Sequence, residues 1–427
     1  MCLGFRILNS GFNFKKCLVF SALAYKNFRL FWFGQLVSLT GSWMHSTAQG
    51  WLVLKLTDSP FYLGLVGTAG GLPILLFSLA GGVAADRFQK KNILLTTQIM
   101  FTLLSLTLAI LITTGVINVW YILLLALFIG LVGAFDLPAK QSFILEMVEK
   151  ESVLNAVALN SAAFNGARII GPTIAGFIIG SFGLAVCFYI NALTFIALIL
   201  SLLKMRLDAE PTPSTKGYSN ITKELNEKSL ISDLKEGIRY ILNEPKICTI
   251  IILVAITSLL GFPYITFLPV YARDILQTGP TGLGILMSSA GAGAFTGAIS
   301  LALRKDFKRK GLLFAVSGIT FPVALLIFSH STLPPLSYVM LFLAGLGAVS
   351  QLATANSILQ ITAPQRLRGR VMSVFTLMFL GMATIGNFIV GSIAHHIGTR
   401  GAVAIGAVLC LSGVILLLWK KPEVLKI

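Results

Sequence analysis

The chain alternates between long apolar stretches that carry no charge and short polar segments. A helix satisfies its own backbone hydrogen bonds where there is no water, so about 20 consecutive apolar residues cross a bilayer. The charge-free stretches are residues 30–54, 59–85, 92–135, 247–272, 275–303, 311–365 and 371–399. This pattern predicts a membrane protein whose chain crosses the bilayer many times as helices.

Turn signals and charges divide these stretches into twelve predicted spans. Their approximate bounds are 30–54, 61–85, 92–114, 119–136, 155–180, 184–203, 247–271, 282–303, 312–329, 334–358, 371–397 and 400–419. Residues 207–245 break the pattern with prolines, serines and many charges, which indicates a linker. Apolar positions at helical spacing from Ile231 to Ile241 predict a surface helix within that linker.

Six spans on each side of a linker indicate an internal duplication. We therefore expect an all-α membrane protein, with 12 transmembrane helices in two pseudo-symmetric six-helix bundles. The expected units are a cytoplasmic lead (1–27), a first bundle (28–206), the cytoplasmic linker (207–245), a second bundle (246–421) and a cytoplasmic tail (422–427).

The positive charge follows the predicted topology. The chain has a net charge of +17, which can indicate a nucleic-acid partner. However, all but four of its 33 Lys and Arg fall on the side of both termini, the exceptions being Lys55, Arg168, Arg273 and Arg400. This asymmetry obeys the positive-inside rule, so we expect a multi-pass protein of the plasma (inner) membrane with cytoplasmic termini and no nucleic-acid partner.

The cysteines and the N-terminal segment carry little chemistry. The five cysteines are dispersed without a Cys-x-x-Cys pair, so we expect no metal site, disulfide framework or cofactor. Lys15 and Lys16 followed by Cys17 to Ala24 imitate a short signal peptide. We favour a cytoplasmic amphipathic lead, because the apolar core is minimal and a full span follows directly.

The loop between spans 2 and 3 is a candidate gate. Gly82 lets another helix approach closely, and Asp86 is an anion among the cations Arg87, Lys90 and Lys91. A carboxylate there suits the N-terminus of a neighbouring helix, in a contact that forms in one conformation and breaks in another. The alternative is an ordinary basic cytoplasmic loop.

Span 5 holds a second constellation. Pro172 follows Gly171 in the helix interior, with Gly166 before and Gly176 after. Proline removes one backbone hydrogen bond and bends the helix, and small residues allow tight packing. The alternative is a generic kinked span.

Two charged residues need a specific environment. Arg168 lies deep in span 5, on one face with Ser161 and Asn165. A charge at the bilayer centre costs at least about 2.5–3.5 kcal/mol. Arg168 therefore either lines a cavity, where it meets an anionic substrate group or a proton-linked acid, or bonds carbonyls exposed by the Pro172 kink. Asp136, at the predicted end of span 4, is either a helix-end residue or a proton carrier.

Span 1 carries a polar stripe at spacings of three and four residues: Gln35, Ser38, Ser42, His45 and Gln49. Such a face belongs inside the bundle, where it bonds a substrate or merely neighbouring helices. His45 is near mid-span and titrates close to neutral pH when unperturbed, so it is either a proton carrier or a hydrogen-bonded residue. Candidates for a wall in the second half are Phe262, Tyr264, Phe267, Thr384 and Asn387.

From about Tyr25 the chain resembles a known family. The pattern Gly-x-x-x-Asp-Arg-x-x-Lys-Lys from Gly82 looks like the signature loop of the major facilitator superfamily, and the span 5 glycines and proline look like its antiporter signature. The segments NFRLFWFGQLVSLTG, PAKQSFILEMV and LRGRVMSVF are similar to the branch of enterobactin exporter and macrolide efflux proteins. That branch is labelled drug:proton antiporter type 3, or transmembrane secretion effector.

The resemblance implies the major facilitator fold, a gating role for the loop and export rather than uptake. It also implies an interface between spans 5 and 8, for which span 8 offers Gly293 and Gly297 as a small-residue face. The chain departs from the superfamily pattern where Ala167 and Ala175 replace glycine, and where span 4 lacks the arginine of many proton-coupled exporters.

The function expected is that of a secondary active transporter rather than an enzyme. It would export small amphipathic molecules of the drug, macrolide or siderophore class by alternating access, in exchange for protons and as a monomer. The chain has no Walker loop for ATP. The alternatives are an importer of a small nutrient, a passive channel, or a membrane enzyme, for which His395, His396 and Asp136 do not form a converging set.

Overall fold

The structure is a computed structural model that describes residues 18–205, 230–303 and 309–423. The first part of the predicted lead, most of the predicted linker and the last four residues lie outside the described residues. A short 3-10 helix, Leu18–Ala24, precedes the first long helix. Its Ala22 backbone N–H donates to Asn155 Oδ1 at 2.9 Å, which ties this segment to the start of the fifth helix.

Long helices make up the rest of the described chain. Their bounds are α1 Lys26–Thr57, α2 Pro60–Arg87, α3 Lys90–Thr113, α4 Val119–Glu146, α5 Val153–Phe182, α6 Leu184–Lys204, the linker helix Leu230–Asn243, α7 Pro245–Ile275, α8 Gly279–Leu303, α9 Lys310–His330, α10 Pro334–Thr362 and α11 Arg368–Lys420. Helix α7 contains two π-helical turns, Thr257–Gly261 and Tyr271–Ile275.

Local sequence explains where the helices begin and turn. Prolines stand in the first turns of α2, α7 and α10, where the missing N–H is not needed. The Asn118 side chain accepts from the Tyr121 N–H at 3.0 Å and caps α4. Helix α11 turns at Gly398, whose φ of 80° favours glycine. Its two arms, α11a (368–397) and α11b (399–420), correspond to two predicted spans.

Ten of the described helices are long and apolar enough to cross a membrane, with α11 counted once. Helix α1 is not among them although it has 32 residues. The polar side chains of its stripe lower its mean hydropathy. Gln35, Ser38 and His45 contact other helices rather than lipid.

Helix α4 corrects one predicted boundary. The sequence ends span 4 at Asp136, whereas α4 continues to Glu146 through Pro138. A proline in a helix leaves the carbonyl four residues earlier without its N–H partner. Here that carbonyl belongs to Ala134, and its oxygen lies 2.0 Å from where a Cβ on Gly81 would be. The close packing of α2 against the bend accommodates the proline.

The packing of the first half (residues 26–204) recurs in the second half (residues 245–420). In the first half α2 packs on α4, α3 on α4, and α1 on α5 and α6. In the second half α8 packs on α10, α9 on α10, and α7 on both arms of α11. The halves meet mainly through two pairs, α5 with α8 and α2 with α11a.

Contacts between the halves run from one end of the molecule to the middle of the helices. We call that end the far end, where α1, α5 and α7 terminate and α2, α4 and α8 begin; the opposite end, which carries the linker helix, is the linker end. The Thr68 hydroxyl donates to the Thr384 carbonyl at 3.2 Å, and the Ser288 hydroxyl to the Ile169 carbonyl at 2.6 Å. Toward the linker end, apolar side chains of α2 and α5 are exposed: Leu76, Leu79, Val83, Leu154 and Val157.

Candidate functional site

A cavity of about 210 Å³ lies between the halves, on the far-end side of the middle. Helices α1, α2 and α4 line it from the first half, and α7 and α8 from the second. Its polar side chains are few: Ser46, Thr47, Gln49 and Thr266. A mainly apolar wall with a few polar groups is typical of a small-molecule site.

Arg168 lies at the middle of α5, beside this cavity. Its guanidinium carbon is 5.6 Å from the centre of the Trp43 ring, a cation–π contact. Together with Ile265 and Met287, which also line the larger cavity, these two residues border a second, smaller space. The Arg168 side chain makes no hydrogen bond or ion pair with any residue that the structure describes.

The α1 stripe mostly faces its own half. Gln35 Nε2 donates to Asn160 Oδ1 at 2.8 Å, and the Ser42 hydroxyl donates to the Ser38 carbonyl at 2.9 Å. His45 Nδ1 lies 3.1 Å from Asn191 Nδ2 and 3.4 Å from the Ser105 hydroxyl, so it joins α1 to α3 and α6. Of the stripe, Gln49 lines the cavity.

Asp136 is buried and fully partnered. Its Oδ1 accepts from the Thr97 hydroxyl and from Gln98 Nε2, both at 2.8 Å, and its Oδ2 is 2.7 Å from Lys140 Nζ. The Ser38 hydroxyl donates to Gln98 Oε1 at 3.4 Å, which extends the network to α1. Sequence reasoning missed Lys140 because span 4 was predicted to end at Asp136; the signal was its spacing of four residues from Asp136.

Two amide candidates have different surroundings. Asn165 Nδ2 donates to the Ser161 carbonyl of its own helix at 2.9 Å. Asn387 Oδ1 accepts from the Thr266 hydroxyl at 2.9 Å, and its Nδ2 would lie 3.1 Å from a Cβ on Gly67. Asn387 therefore joins α11a to α7 and α2 beside the cavity, whereas Asn165 has no described partner from another helix.

The aromatic candidates of α7 pack within the protein. Phe262 lies edge-on to Phe379 at 5.2 Å, and Tyr264 and Phe267 are buried. Tyr264 also lies within electrostatic range of Arg168.

The candidate gate is open to solvent. Asp86 and Arg87 are exposed, and Asp86 has no partner among the described residues. Lys90 Nζ pairs with Glu146 at 2.5 Å, and Lys91 Nζ donates to the Met205 carbonyl at 3.0 Å. A Cβ on Gly82 would meet nothing within 4 Å, so the expected close approach of a helix at Gly82 is absent here and occurs instead at Gly81.

The span 5 glycines have separate contacts. Gly171 faces α1, where a Cβ would lie 2.6 Å from Trp43 Cβ, and Gly176 faces α8, where it would lie 2.7 Å from the Pro280 carbonyl oxygen. Pro172 is buried, and its carbonyl oxygen lies 2.5 Å from where a Cβ on Gly284 would be. A Cβ on Gly166 would meet nothing within 4 Å.

The prediction that Gly293 and Gly297 of span 8 face span 5 was wrong. Gly293 and Gly297 pack against Phe342, Leu346 and Ser350 of α10. The face toward α5 instead carries Gly284, Ser288 and Gly291. Gly293 is nine residues after Gly284, which at about 3.6 residues per turn places it on the opposite side of the helix.

An ion pair joins the halves at the far end. Arg273 Nη1 lies 2.6 Å from Asp58 Oδ1 and donates to the Leu54 carbonyl at 3.1 Å. Arg273 also pairs with Asp274. Sequence reasoning counted Arg273 only as an exception to the charge asymmetry, because nothing in the sequence places it beside Asp58.

The family of transmembrane secretion effectors matches residues 18–426 of the chain. The chain belongs to this family. The chain is 25% identical over 392 residues to the multidrug efflux pump Tap of Mycolicibacterium fortuitum, covering 90% of this chain and 93% of that protein. It is 26% identical over 398 residues to the enterobactin exporter EntS of Escherichia coli O1:K1 / APEC, covering 92% and 91%.

Solved structures of transporters share the fold of this chain. The peptide transporter POT superposes with a TM-score of 0.73, covering 94% of this chain and 95% of that chain at 12% identity. The nucleoside transporter NupG does so with a TM-score of 0.70, covering 92% and 98% at 13% identity. The predicted membership of the major facilitator superfamily is therefore confirmed, and the relatives are transporters rather than enzymes.

Proposed function

We propose that this protein is a secondary exporter of small amphipathic molecules that works by alternating access in exchange for protons. It crosses the inner membrane twelve times as a monomer, with cytoplasmic termini and six spans in each half. The ten apolar helices supply this count once α1 is added and α11 is divided at Gly398. The charge asymmetry of the loops supports the orientation.

The observation that carries the proposal is the uneven contact between the halves around the central cavity. Glycines and hydroxyls join α5 to α8 and α2 to α11a toward the far end, and Asp58 pairs with Arg273 there. Nearer the linker end, a Cβ on Gly82 of α2 or on Gly166 of α5 would meet nothing within 4 Å. We interpret this arrangement as the inward-facing state of a transporter whose halves rock about the cavity.

The loop after α2 is the gate of the other state. Rocking that opens the far end brings the linker ends together, and α2 already packs on α11a. Gly82 then provides room for α11a, and Asp86 gains a partner that it lacks among the residues described here. A contact made in one state alone shifts the balance between the two states.

The export direction rests on the relatives and on the α5 motif. One relative is named as a multidrug efflux pump and another as an exporter of enterobactin. The halves meet along the kinked part of α5, where Pro172 and Gly176 contact Gly284. These features support drug-like or siderophore-like substrates.

An efflux assay tests the proposal. An efflux-deficient bacterium expressing the protein is loaded with fluorescent amphipathic dyes and a catecholate siderophore, and retention is followed before and after an uncoupler. We expect uncoupler-sensitive depletion of at least one compound, and its loss in Asp86→Asn and Pro172→Ala variants present in the membrane. Accumulation instead of depletion, or wild-type export by both variants, would contradict the proposal.

A further inference from the structure

We propose that Arg168 binds an acidic group of the transported molecule, so that the preferred substrates are compact aromatic anions. The inference rests on the proposed transport function, and it adds a substrate class and the residue that selects it. The anionic group lies at the guanidinium, and the aromatic body lies against Trp43 and in the adjoining cavity.

Arg168 has no acidic partner at its depth among the described residues. Arg168 is about fifteen residues from either end of α5, so it lies at mid-depth of the bundle. Ionised side chains at that depth pair with an opposite charge or face a water-filled cavity. The chain supplies no opposite charge there: Asp136 is the one acidic residue inside a described long helix away from its ends, and its two oxygens are already taken by Thr97, Gln98 and Lys140.

The remaining acidic residues lie near helix ends or in connecting segments. Those whose side chains the structure describes are Asp58, Asp86, Glu146, Glu149, Glu151, Glu236, Glu244, Asp274 and Glu423. A guanidinium at mid-depth with no carboxylate within reach is therefore complementary to an anion that arrives from outside the chain.

The structural alternative for Arg168 does not fit the geometry. That alternative required its guanidinium to bond carbonyls exposed by the Pro172 kink. The carbonyl that Pro172 leaves free is the backbone carbonyl of Arg168 itself, and it faces Gly291 of α8. The next carbonyl, that of Ile169, accepts from the hydroxyls of Ser288 and Thr173.

The surroundings suit an aromatic acid. The Trp43 ring lies against the guanidinium, and Ile265, Leu268, Met287 and Ala290 complete an apolar lining around it. The space beside the guanidinium is about 10 Å³ in this state, and its lining residues Ile265 and Met287 also line the larger cavity of about 210 Å³. That volume is below the roughly 300–1,000 Å³ typical of drug-sized pockets, which favours a compact ligand.

The position also links binding to the motion. Arg168 and Trp43 belong to the first half, whereas Ile265, Leu268, Met287 and Ala290 belong to the second. An anion that binds the guanidinium while its body contacts α7 and α8 interacts with both halves at once. Its affinity then differs between the two states, which is the condition for a ligand to shift their balance.

A pair of matched probes tests the inference with the full chain in lipid nanodiscs. 2-Naphthoate and its neutral counterpart 2-naphthamide have the same ring system and differ in charge. Calorimetry gives each Kd, and quenching of tryptophan emission reports contact with Trp43. We expect wild type to bind the acid at least ten times more tightly than the amide, with quenching that is lost in Trp43→Phe.

Substitutions at two arginines test whether Arg168 causes the preference for the acid over the amide. We expect Arg168→Gln to bind acid and amide alike, and Arg168→Lys to keep part of the preference because the charge remains without the planar guanidinium. Arg400→Gln is the matched control, since it removes the same charge at the far end, where Arg400 donates to the Ser331 carbonyl. That variant keeps the full preference.

The inference would be overturned by equal affinity for acid and amide in wild type, by no binding of the acid, or by an acid preference that survives in Arg168→Gln. Titration with sodium chloride tests whether a free inorganic anion competes with the acid for Arg168. Displacement of 2-naphthoate by chloride at a physiological concentration would also overturn the inference. If the protein exports a neutral dye in an uncoupler-sensitive way but shows no preference for the acid, the inference about Arg168 fails and the proposed export function stands. If the acid binds through Arg168 but nothing is exported, the inference about Arg168 stands and the proposed export function fails.

Discussion

At the scale of single residues, three polar side chains inside the helices differ in their partners. Asp136 is neutralised by Lys140 and by two hydrogen bonds, and His45 is held by Asn191 between three helices. Arg168 has neither kind of partner among the described residues. The first two residues therefore stabilise the first half, and the third is available to a ligand.

The Asp136–Lys140 pair gives the first prediction. Lys140→Met leaves a carboxylate that is 7% exposed without its countercharge, and removing one partner of a buried pair costs about 3–5 kcal/mol. We expect a lower midpoint of thermal unfolding in detergent, followed with a thiol-reactive dye that reports the buried Cys187 and Cys410.

The double variant Asp136→Asn with Lys140→Met is the control, because it removes both charges at once. We expect it to recover more than half of the loss in the midpoint. If the two substitutions were additive, the pair would not stabilise the fold. If Asp136→Asn instead kept the midpoint and abolished uncoupler-sensitive export, Asp136 would be a proton carrier.

Sequence identified these three residues as exceptions within apolar spans, because a charge or a histidine there is conspicuous. It did not identify their partners. Lys140 lies beyond the predicted end of span 4 at Asp136, and Asn191 and Gln98 stand in spans whose rotation no periodicity specifies. Partners across helices depend on packing, which one sequence does not encode in a readable pattern.

At the scale of the helices, their ends were predictable and their contact faces were not. Charges and prolines mark the ends: α2 runs Pro60–Arg87 where residues 61–85 were expected. Glycines gave no comparable guide to the faces, because Gly81 and Gly82 both permit close approach. The structure uses Gly81 against α4, as it uses Gly284 rather than Gly293 against α5.

These adjacent glycines give the second prediction. A Cβ at Gly81 would lie 2.0 Å from the Ala134 carbonyl oxygen, whereas one at Gly82 would meet nothing within 4 Å. We expect Gly81→Ala to lower the unfolding midpoint, since overpacking costs about 1–3 kcal/mol. Gly82→Ala is the matched control and leaves the midpoint unchanged or higher, because alanine favours a helix by about 1 kcal/mol over glycine.

The proposed gating role of the loop after α2 gives a prediction about export for Gly82. Gly82→Leu folds with a normal midpoint but exports poorly, because its side chain blocks α11a when the linker end closes. Export is measured with the compound found in the efflux assay, at equal amounts of protein in the membrane. Wild-type export by a stable Gly82→Leu variant would remove the gating role of this loop.

At the scale of the whole molecule, the duplication was readable from six spans on each side of a linker, but the conformation was not. Closure at the far end depends on a few contacts, such as Asp58 with Arg273 and Thr68 with the Thr384 carbonyl. These residues lie hundreds of positions apart in the chain. The free-energy difference between two states is a small sum of such contacts, so the sequence pattern leaves it open.

The Asp58–Arg273 pair gives the last prediction. Asp58 has a φ of 48°, which asparagine tolerates as well as aspartate, so Asp58→Asn removes the charge and keeps the backbone. The pair is partly exposed, and such pairs contribute about 0.2–1 kcal/mol, which is at most roughly a fivefold shift toward the outward-facing state. A cysteine at Ser46, in a chain without its five native cysteines, reports that state through labelling by a membrane-impermeant maleimide from outside. We expect faster labelling in Asp58→Asn and the wild-type rate in the control Asp274→Asn, which removes a carboxylate that pairs with Arg273 within α7; an unchanged rate in Asp58→Asn would mean that this ion pair does not hold the far end closed.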